Sequence, residues 1–442
     1  MKKNLRSIRQ FMAVSRDEAE VKSLLNTDIY KILMHNFLTE IPEWGNAPTI
    51  WKLIVRDPNV RLAEVIPIEA LREQLDAARS IKGISEAEAS YFRGMLLPNG
   101  ERMLNEPGIQ GLQNLQLPPY HIEEVDGGYE ILFGDEFSPW SDSMQWEIPG
   151  LKIVNSLYQY YRMKNSGTTD MEANRFFNGM EARLYADIDT FRSEPGVTFS
   201  EFGTRRAFSN DWHQHVLQIL MEELPNQCVG TSNVQLAMQT GSCNPKGTNA
   251  HELRMIPVAL TPNDSPKEII ETMYDVDRKW GARYPGLRIL LPDGFGTTFY
   301  LENCPEDIIH NHDGIRHDSK DPMDGIPEYL KCLEGHGVDS KKMVSIPSDG
   351  LNAQKSVDIW RAFGHHFKLL TFGIGTNLTN NSGMQIPMVI KPAMVWCRIK
   401  KIWVPLVKLS DNPGKATGDA ARVEFMKKVY GTEGHVVQAV TV

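Results

Sequence analysis

The stretch CVGTSNVQLAMQTGSCNPKGTNAHEL, from Cys228 to Leu253, contains two Gly-Thr turns, GTSN at 230–233 and GTNAHE at 247–252. Each turn follows a short run of apolar or small residues, the usual position of the loops at the carboxyl ends of strands in a parallel α/β sheet or barrel. Because ligands bind at that edge of such folds, the stretch predicts an α/β fold with a functional site on these turns.

The second turn places an imidazole beside a carboxylate. His251 precedes Glu252, and this carboxylate could orient the ring at the predicted rim. A buried histidine bonded to a neighbour would give the same pair. A zinc peptidase motif would need a second histidine at position 255, where this chain has Met255, so that interpretation is excluded.

The composition is that of a globular protein, with 41% hydrophobic and 23% charged residues among 442. This length suits about two to three domains. The net charge of -9 argues against nucleic acid as a bulk electrostatic partner. Phosphate binding would therefore have to be local.

Neither a membrane span nor a disulfide framework is indicated. No apolar run approaches the length of a span, and the apolar segment near the N-terminus is too short for a signal peptide, so we expect a cytoplasmic protein. The cysteines are scattered without a CxxC pair, which argues against a structural zinc site as well. They are Cys228, Cys243, Cys304, Cys332 and Cys397.

The first 144 residues predict a mixed α+β domain. Apolar residues recur at helical spacing from Ile29, and Thr27 or Asn26 can cap this helix. The alternation within residues 115–135 predicts a hairpin with its turn at 126–128, an Asp-Gly-Gly sequence.

The pattern changes after Pro139. Residues 145–395 alternate short strands with helices, which predicts a parallel α/β architecture with its chemistry on the loops that follow the strands. After Lys391 the sequence alternates in an antiparallel style. We therefore expect residues 396–442 to return to the first domain.

Several further motifs follow one another along the chain. They are TDIYK (27–31), EFGTRRAFS (201–209), GIRHDSKDP (314–322), SDGLN (348–352) and FGIGTNL (372–378). Together with the GTNAHE turn they resemble the nicotinate phosphoribosyltransferase family, particularly its bacterial and fungal branch, over nearly the whole chain. The resemblance implies an irregular α/β barrel of the type II phosphoribosyltransferase kind, with a separate N-terminal α+β domain completed by the C-terminal tail.

The same resemblance implies an activity in NAD biosynthesis. Such an enzyme transfers phosphoribosyl from phosphoribosyl pyrophosphate to nicotinate, uses ATP and Mg²⁺, and forms a homodimer that needs neither nucleic acid nor membrane. The family histidine that matches His251 is phosphorylated by ATP, and the energy of the phosphohistidine is coupled to tighter substrate binding. A phosphate can order a loop through new charge-assisted contacts.

The FGIGTNL motif suits the 5′-phosphate of the ribose. Gly373 and Gly375 leave backbone N–H groups unobstructed, and Thr376 and Asn377 can add side-chain donors at a helix start. Plain turn chemistry would explain the same residues without a ligand.

Two other motifs suit the ribose and the pyrophosphate. Asp349 can accept hydrogen bonds from ribose hydroxyls, and Gly350 permits close approach. Strand alternation sends Arg316 and Asp318 to one side and His317 to the other. The resemblance implies that Arg316 contacts pyrophosphate, while Asp318 helps to hold ribose hydroxyls or magnesium.

The remaining motif residues suit a pyridine ring. Arg205 offers a planar fork for a carboxylate or phosphate, although a pair of arginines also occurs on solvated faces. Phe202 can stack on a ring. The resemblance implies that Tyr30 covers the pyridine ring of the neighbouring subunit's substrate, and that Ser232, where nicotinamide-specific relatives have an acidic residue, suits a carboxylate-bearing ring.

The run HNHDGIRHDSKDP (310–322) contains histidines and aspartates that could suggest a metal site. Arg316 and Lys320 place cations in the same loop, so we predict no transition-metal site there. Lys320 stands where relatives have glycine, and the 291–297 loop retains Asp293 but changes its neighbours. If these departures block substrate, the chain is a catalytically degenerate ligand-binding relative. A nicotinamide-specific enzyme on the same scaffold is the other alternative. Lys391 and Lys408 are weaker candidates for phosphate binding.

Overall fold

The computed structural model describes residues 6–241, 245–412 and 416–432, so Cys243 lies outside the described residues. The strands are β1 (Thr49–Val55), β2 (Tyr120–Val125), β3 (Gly128–Phe133), β4 (Thr198–Glu201), β5 (Cys228–Thr231), β6 (Ile289–Leu290), β7 (Gly314–His317), β8 (Val344–Pro347), β9 (Leu369–Ile374), β10 (Met388–Cys397) and β11 (Ile402–Pro405). They form one antiparallel and one parallel sheet.

Helices cover both sheets. They are α1 (Ile8–Phe11), α2 (Ile29–Thr39), α3 (Pro42–Gly45), α4 (Leu62–Val65), α5 (Ile68–Arg79), α6 (Glu86–Arg93), α7 (Glu106–Asn114), α8 (Trp140–Ser143), α9 (Glu147–Asn165), α10 (Asp170–Arg192), α11 (Asn210–Glu223), α12 (Val234–Gln239), α13 (Glu252–Ala259), α14 (Pro266–Arg283), α15 (Thr297–Glu302), α16 (Glu306–Asn311), α17 (Pro322–Gly335), α18 (Ala353–Phe363), α19 (Thr376–Thr379) and α20 (Ala420–Val429). Within the described residues, none of these helices combines the length and hydropathy that crossing a bilayer requires.

The antiparallel sheet joins strands from both ends of the chain in the order β11-β10-β1-β3-β2. β10 pairs with the whole of β1, from Val395 opposite Thr49 to Met388 opposite Val55. The predicted boundary between residues 395 and 396 falls inside β10, and the division of the chain into domains stays a prediction.

β2 and β3 form the predicted hairpin. Its turn residues Asp126 and Gly127 have φ angles of 50° and 74°. A two-residue type I′ turn requires this left-handed pair, which Asp and Gly adopt more readily than most residues. The predicted turn is therefore confirmed.

The parallel sheet has the order β5-β4-β9-β8-β7-β6. Every pairing between neighbouring strands is parallel, with helices in the crossovers. This confirms the predicted α/β class. β5 and β6 stand at the two ends of the order, and the loop after β5 reaches β6, since Asn249 Nδ2 donates to the carbonyl of Ile289 at 3.3 Å.

The start of α2 differs from the prediction. Its capping residue is Asp28, rather than Thr27 or Asn26. The Asn26 side-chain oxygen instead accepts from the buried ammonium of Lys152 at 2.6 Å and from Asn233 at 2.9 Å. A buried ammonium needs hydrogen-bond acceptors, and this long-range demand decides the role of Asn26.

Helix α9 connects the antiparallel sheet to a loop of the site. It packs against β10 of the antiparallel sheet and against the 3₁₀ turn Thr204–Arg206 that follows β4. Its polar residues Lys152, Asn155 and Gln159 are buried. They are bonded inside the protein, so α9 fixes one end of the antiparallel sheet to the loop that carries Arg205.

Candidate active site

A cavity of about 510 Å³ lies at the carboxyl ends of the parallel strands. Most residues predicted from the sequence line it: Tyr30, Phe202, Arg205, Ser232, His251, Arg316, Asp318, Asp349, Gly350, Gly375, Thr376 and Asn377. Most of these residues lie at or after the ends of different strands, so the fold brings distant parts of the sequence to one site, as parallel α/β folds do.

His251 stands immediately before α13 with its ring buried. Its Nε2 lies 2.6 Å from Oδ1 of Asp293. A carboxylate only accepts, so Nε2 carries the hydrogen and Nδ1 carries the lone pair. Burial lowers the pKa of His251 below its usual 6.5, although Asp293 opposes this. The neutral ring therefore predominates at neutral pH.

Asp293 lies in the 3₁₀ turn after β6 and is held on its other oxygen. Oδ2 accepts from Ser319 Oγ at 2.7 Å and pairs with Lys408 Nζ at 3.1 Å. Burial alone would raise the pKa of Asp293, but His251 and Lys408 hold it well below its usual value. Asp293 is thus a charged, fixed acceptor for His251.

The prediction that Glu252 orients His251 is wrong. Glu252 Oε1 accepts from Lys31 Nζ at 2.6 Å, and neither residue lines the cavity. Successive residues at a helix start are turned by about 100°, so neighbours in sequence need not share a face. The orienting role belongs to Asp293, whose position directly after the short apolar strand RILLP was the available signal.

Arg316 and Asp318 lie on the cavity side of β7 and its loop, as strand alternation predicts. Asp318 is 3.6 Å from His251 Nε2 and 3.9 Å from both Lys408 and Arg316. Burial opposes its ionisation, yet Arg316 keeps the pKa of Asp318 below its usual value. His317 points the other way, towards Ser345 Oγ at 3.1 Å.

His251, Asp293 and Asp318 present ligand atoms within 4.8 Å of one another. Asp293 already accepts from its neighbours, while Lys408 stands beside both aspartates. Mg²⁺ is commonly held by one or two carboxylates together with substrate phosphates. The donor set fits such a shared ion, with Asp318 as the carboxylate, better than a cage made by protein alone.

The histidines of the 310–322 run do not gather at this group. His310 pairs with Glu306 at 2.9 Å, and His312 Nε2 lies 2.6 Å from the hydroxyl of Tyr329. Among the described residues, the run therefore contributes only Asp318 to a cluster of possible metal ligands.

Cations dominate the other walls of the cavity. Arg56, Arg205 and Arg206 line it, together with Lys246, Lys391 and Lys408. Burial, followed by repulsion from Arg205 and Arg56, lowers the pKa of Arg206 to about 10. Guanidinium groups crowded in this way favour an anionic ligand. The sequence analysis missed Arg56 and Lys246, although Arg56 directly follows β1.

Tyr30 lines the cavity of its own chain. The family resemblance had instead implied that it covers the substrate of a neighbouring subunit. Its hydroxyl donates to Glu147 Oε2 at 3.2 Å. The bridge that joins Asp28 to Asn233 brings the start of α2 onto the β5 loop. The N-terminal part therefore supplies this ring to the cavity of its own chain.

Ser232 is engaged by an acid that the sequence analysis did not name. Its hydroxyl donates to Asp28 Oδ1 at 2.6 Å, and Asp28 also lines the cavity. Burial raises the pKa of Asp28, while Arg205 lowers it. Ser232 thus holds the Asp28 carboxylate at this wall.

Gly373 does not line the cavity, contrary to its predicted phosphate role. A Cβ at Gly373 would lie 2.4 Å from ring atoms of Phe202, so glycine makes room for that ring. Gly375 does line the cavity, just before α19. Asn377 Nδ2 donates to the Leu351 carbonyl at 2.7 Å, which ties the FGIGTNL loop to the SDGLN loop.

Lys320 lies outside the cavity lining. Its ammonium is 2.5 Å from Glu328 Oε2 and 3.0 Å from Thr298 Oγ1. Lys320 is therefore held against helices α17 and α15, and its charge does not occupy the place of a substrate.

Comparison with known proteins finds both a family match and similar solved structures. Residues 197–434 match the model of the nicotinate phosphoribosyltransferase (NAPRTase) family. A solved structure of nicotinate phosphoribosyltransferase from Porphyromonas gingivalis is 25% identical with a TM-score of 0.79, over 93% of this chain and 100% of that chain. One from Vibrio cholerae has 23% identity and a TM-score of 0.80, over 96% of each chain, which shows the fold. Since the family match spans the parallel sheet and the loops that carry His251, Asp293 and Asp318, this chain belongs to the nicotinate phosphoribosyltransferase family.

Proposed function

We propose that this chain transfers phosphoribosyl from phosphoribosyl pyrophosphate to nicotinate, and that ATP drives the reaction through a phosphate on His251. In the transfer, the bond from ribose C1 to the pyrophosphate oxygen breaks and a bond from C1 to the pyridine nitrogen forms. In the ATP step, the γ-phosphoryl group passes to the imidazole and ADP leaves. Water later releases the phosphate.

The hydrogen bond between His251 and Asp293 is the observation that carries this proposal. With Nε2–H donated to Asp293 at 2.6 Å, the Nδ1 lone pair is the nucleophile. Phosphorylation of Nδ1 gives the ring a positive charge, which the ionised Asp293 stabilises. The pair therefore supplies orientation, the correct tautomer and charge compensation.

The cavity walls suit a sugar that carries phosphate at both ends. Gly375 and Thr376 offer donors for the 5′-phosphate, while Arg316 suits the pyrophosphate. Positive charge develops on the ribose as the pyrophosphate leaves, and the carboxylates of Asp318 and Asp349 can stabilise it. Asp318 would hold Mg²⁺, which would supply positive charge to neutralise the leaving group.

Nicotinate suits the aromatic part of the cavity. Phe202 and Tyr30 both line it and offer faces for a pyridine ring. Arg205 is the cation beside them, with a guanidinium that can bind a carboxylate in bidentate geometry. Burial opposes its charge, but Tyr30, Glu147 and Asp28 raise the pKa of Arg205, so it stays charged.

Asp28 favours a second candidate. Its carboxylate at the cavity wall would accept a hydrogen bond from the amide of nicotinamide, and it would repel the carboxylate of nicotinate. We rank nicotinate first because Arg205 and six further Arg and Lys side chains line the same cavity.

The test is an assay of purified protein with phosphoribosyl pyrophosphate, Mg²⁺ and either nicotinate or nicotinamide, with and without ATP. We expect nicotinate mononucleotide and pyrophosphate in equal amounts, with ATP increasing the yield. Turnover of nicotinamide alone would support the second candidate. Absence of both products would indicate a degenerate ligand-binding relative.

We also propose the finer architecture. The loop 245–251 reaches β6 from the end of β5, which supports an irregular barrel made by residues 145–395. Residues 1–144 and 396–442 would share the antiparallel sheet. A homodimer remains part of the proposal, but Tyr30 serves its own chain, so light scattering combined with an activity assay should find any monomer active.

A further inference from the structure

A line of buried contacts connects Tyr30 at the cavity wall with the helix that begins beside His251. The Tyr30 hydroxyl donates to Glu147 Oε2 at 3.2 Å. Lys31 Nζ lies 2.6 Å from Glu147 Oε2 and 2.6 Å from Glu252 Oε1. Because Glu252 directly follows His251, these contacts run from an aromatic wall of the cavity to the residue proposed to accept phosphate.

The contacts lie where charges interact strongly. The side chains of Lys31 and Glu252 are 0% exposed, and that of Glu147 is 1% exposed. Water screens such groups poorly, so moving a charge at one end changes the field at the other.

Lys391 is the member of this network that faces the cavity. Its Nζ lies 3.1 Å from Glu147 Oε1 and 4.0 Å from Glu252 Oε2, and its side chain is 15% exposed. A phosphate on His251 adds up to two negative charges to the cavity and competes for this ammonium. Attraction to that phosphate would draw Lys391 away from Glu147, which would then hold Lys31 and the Tyr30 hydroxyl more strongly.

We propose that Glu147 is a positioning residue that passes the charge state of His251 to Tyr30, so that ATP lowers the KM for the pyridine substrate through the Tyr30 hydroxyl. This inference rests on the proposed function. Burial, followed by Glu147, raises the pKa of Tyr30 well above 10, so the hydroxyl keeps its proton and remains the donor. When His251 carries the phosphate, Tyr30 is thereby fixed in position to bind the pyridine ring.

The test uses Tyr30→Phe, which keeps an aromatic face and removes only the hydroxyl. The measured quantity is the ratio of the KM for nicotinate without ATP to the KM with ATP. We expect this ratio to fall about tenfold in Tyr30→Phe, the size associated with a hydrogen bond to a charged group. A ring that acts by stacking alone would leave the ratio unchanged, and that result would overturn the inference.

Two further variants complete the design. Tyr120→Phe is the matched control, because its hydroxyl donates to Asp76 at 2.9 Å at an exposed position away from the cavity; its ratio should equal that of the wild type. Glu147→Gln should lower the ratio as Tyr30→Phe does, and the double variant should lower it no further, because both act on one contact. If Glu147→Gln does not fold, Tyr30→Phe alone decides.

Failure of the inference and failure of the proposed function give different results. A wild-type protein with no transfer, or with a yield that does not respond to ATP, contradicts both. A wild type that responds to ATP, together with a Tyr30→Phe variant that responds equally, contradicts the inference alone.

Discussion

Two clusters of buried charge meet at the peptide bond between His251 and Glu252. The first joins His251 to Asp293 and Lys408, and its members His251 and Lys408 line the cavity. The second joins Glu252 to Lys31 and Glu147, whose side chains are 0% to 1% exposed. The first cluster leaves a nitrogen lone pair for chemistry, while in the second the charges mainly compensate one another. Being charged and buried does not by itself make a residue reactive.

The largest expected effect tests the reactive cluster. His251→Ala should abolish an acid-labile, base-stable label from ATP, because phosphorus bound to nitrogen hydrolyses in acid. ATP stimulation should disappear as well, while some ATP-independent transfer remains because Arg205 and the phosphate loops are intact. Mass spectrometry and paired assays measure both. A substantially lower unfolding midpoint, with equal loss of both activities, would instead indicate a structural histidine.

Substitutions in the second cluster should change the stability of the folded protein. Lys31→Met leaves two buried carboxylates with less compensation, and we expect the free energy of unfolding to fall by about 3 kcal/mol. Denaturant titration measures this change. The control is Lys279→Met at the exposed pair with Asp275, 2.8 Å apart, where less than about 1 kcal/mol should be lost. Equal losses in both variants would show that the buried cluster is not held by its charges.

Asp293→Asn should affect the rate of labelling. An amide can donate to Nε2 and so favour the tautomer that has no lone pair on Nδ1. We expect phosphorylation of His251 to slow by about 100-fold or more, with a small change in the unfolding midpoint. Time courses with labelled ATP measure the rate. An unchanged rate would remove Asp293 from the mechanism.

Glu252→Gln is the matched counterpart, with the same loss of one negative charge on the other side of the peptide bond. Labelling should change less than about threefold, because Glu252 does not contact the imidazole, while the unfolding midpoint should fall. If Glu252→Gln slowed labelling as much as Asp293→Asn, the distinction between the two clusters would fail.

The smallest effect concerns pH. Burial lowers the pKa of His251 below 6.5, so the folded protein binds this proton less readily than the unfolded chain. This group's contribution to stability is therefore full above the unfolded value and is lost as pH falls towards the folded value. Labelling between about pH 5 and pH 8 should show a midpoint below 6.5. A midpoint above 6.5 would contradict the assignment.

Local patterns predicted much of the fold and the cavity. Alternation and turn chemistry indicated the β2–β3 hairpin, the parallel sheet and the side of β7 on which Arg316 and Asp318 lie. The predictions that failed concern residues whose roles depend on long-range contacts. Glu252 stands next to His251 in sequence, yet a lysine from α2 binds it, and Asp293 comes from a loop 42 residues away. The motif that contains Gly373 predicts a phosphate-binding loop. Gly373 instead makes room for the Phe202 ring, and the sequence does not reveal where that ring packs.

The pairing of β10 with β1 has a consequence for synthesis of the chain. β1 emerges from the ribosome long before its partner Met388–Cys397. Until then β1 has β3 on one side and an open edge on the other, and open edges invite pairing with other chains. Contacts this distant in sequence also slow folding. Newly made chains should therefore be most prone to aggregation until β10 has been made.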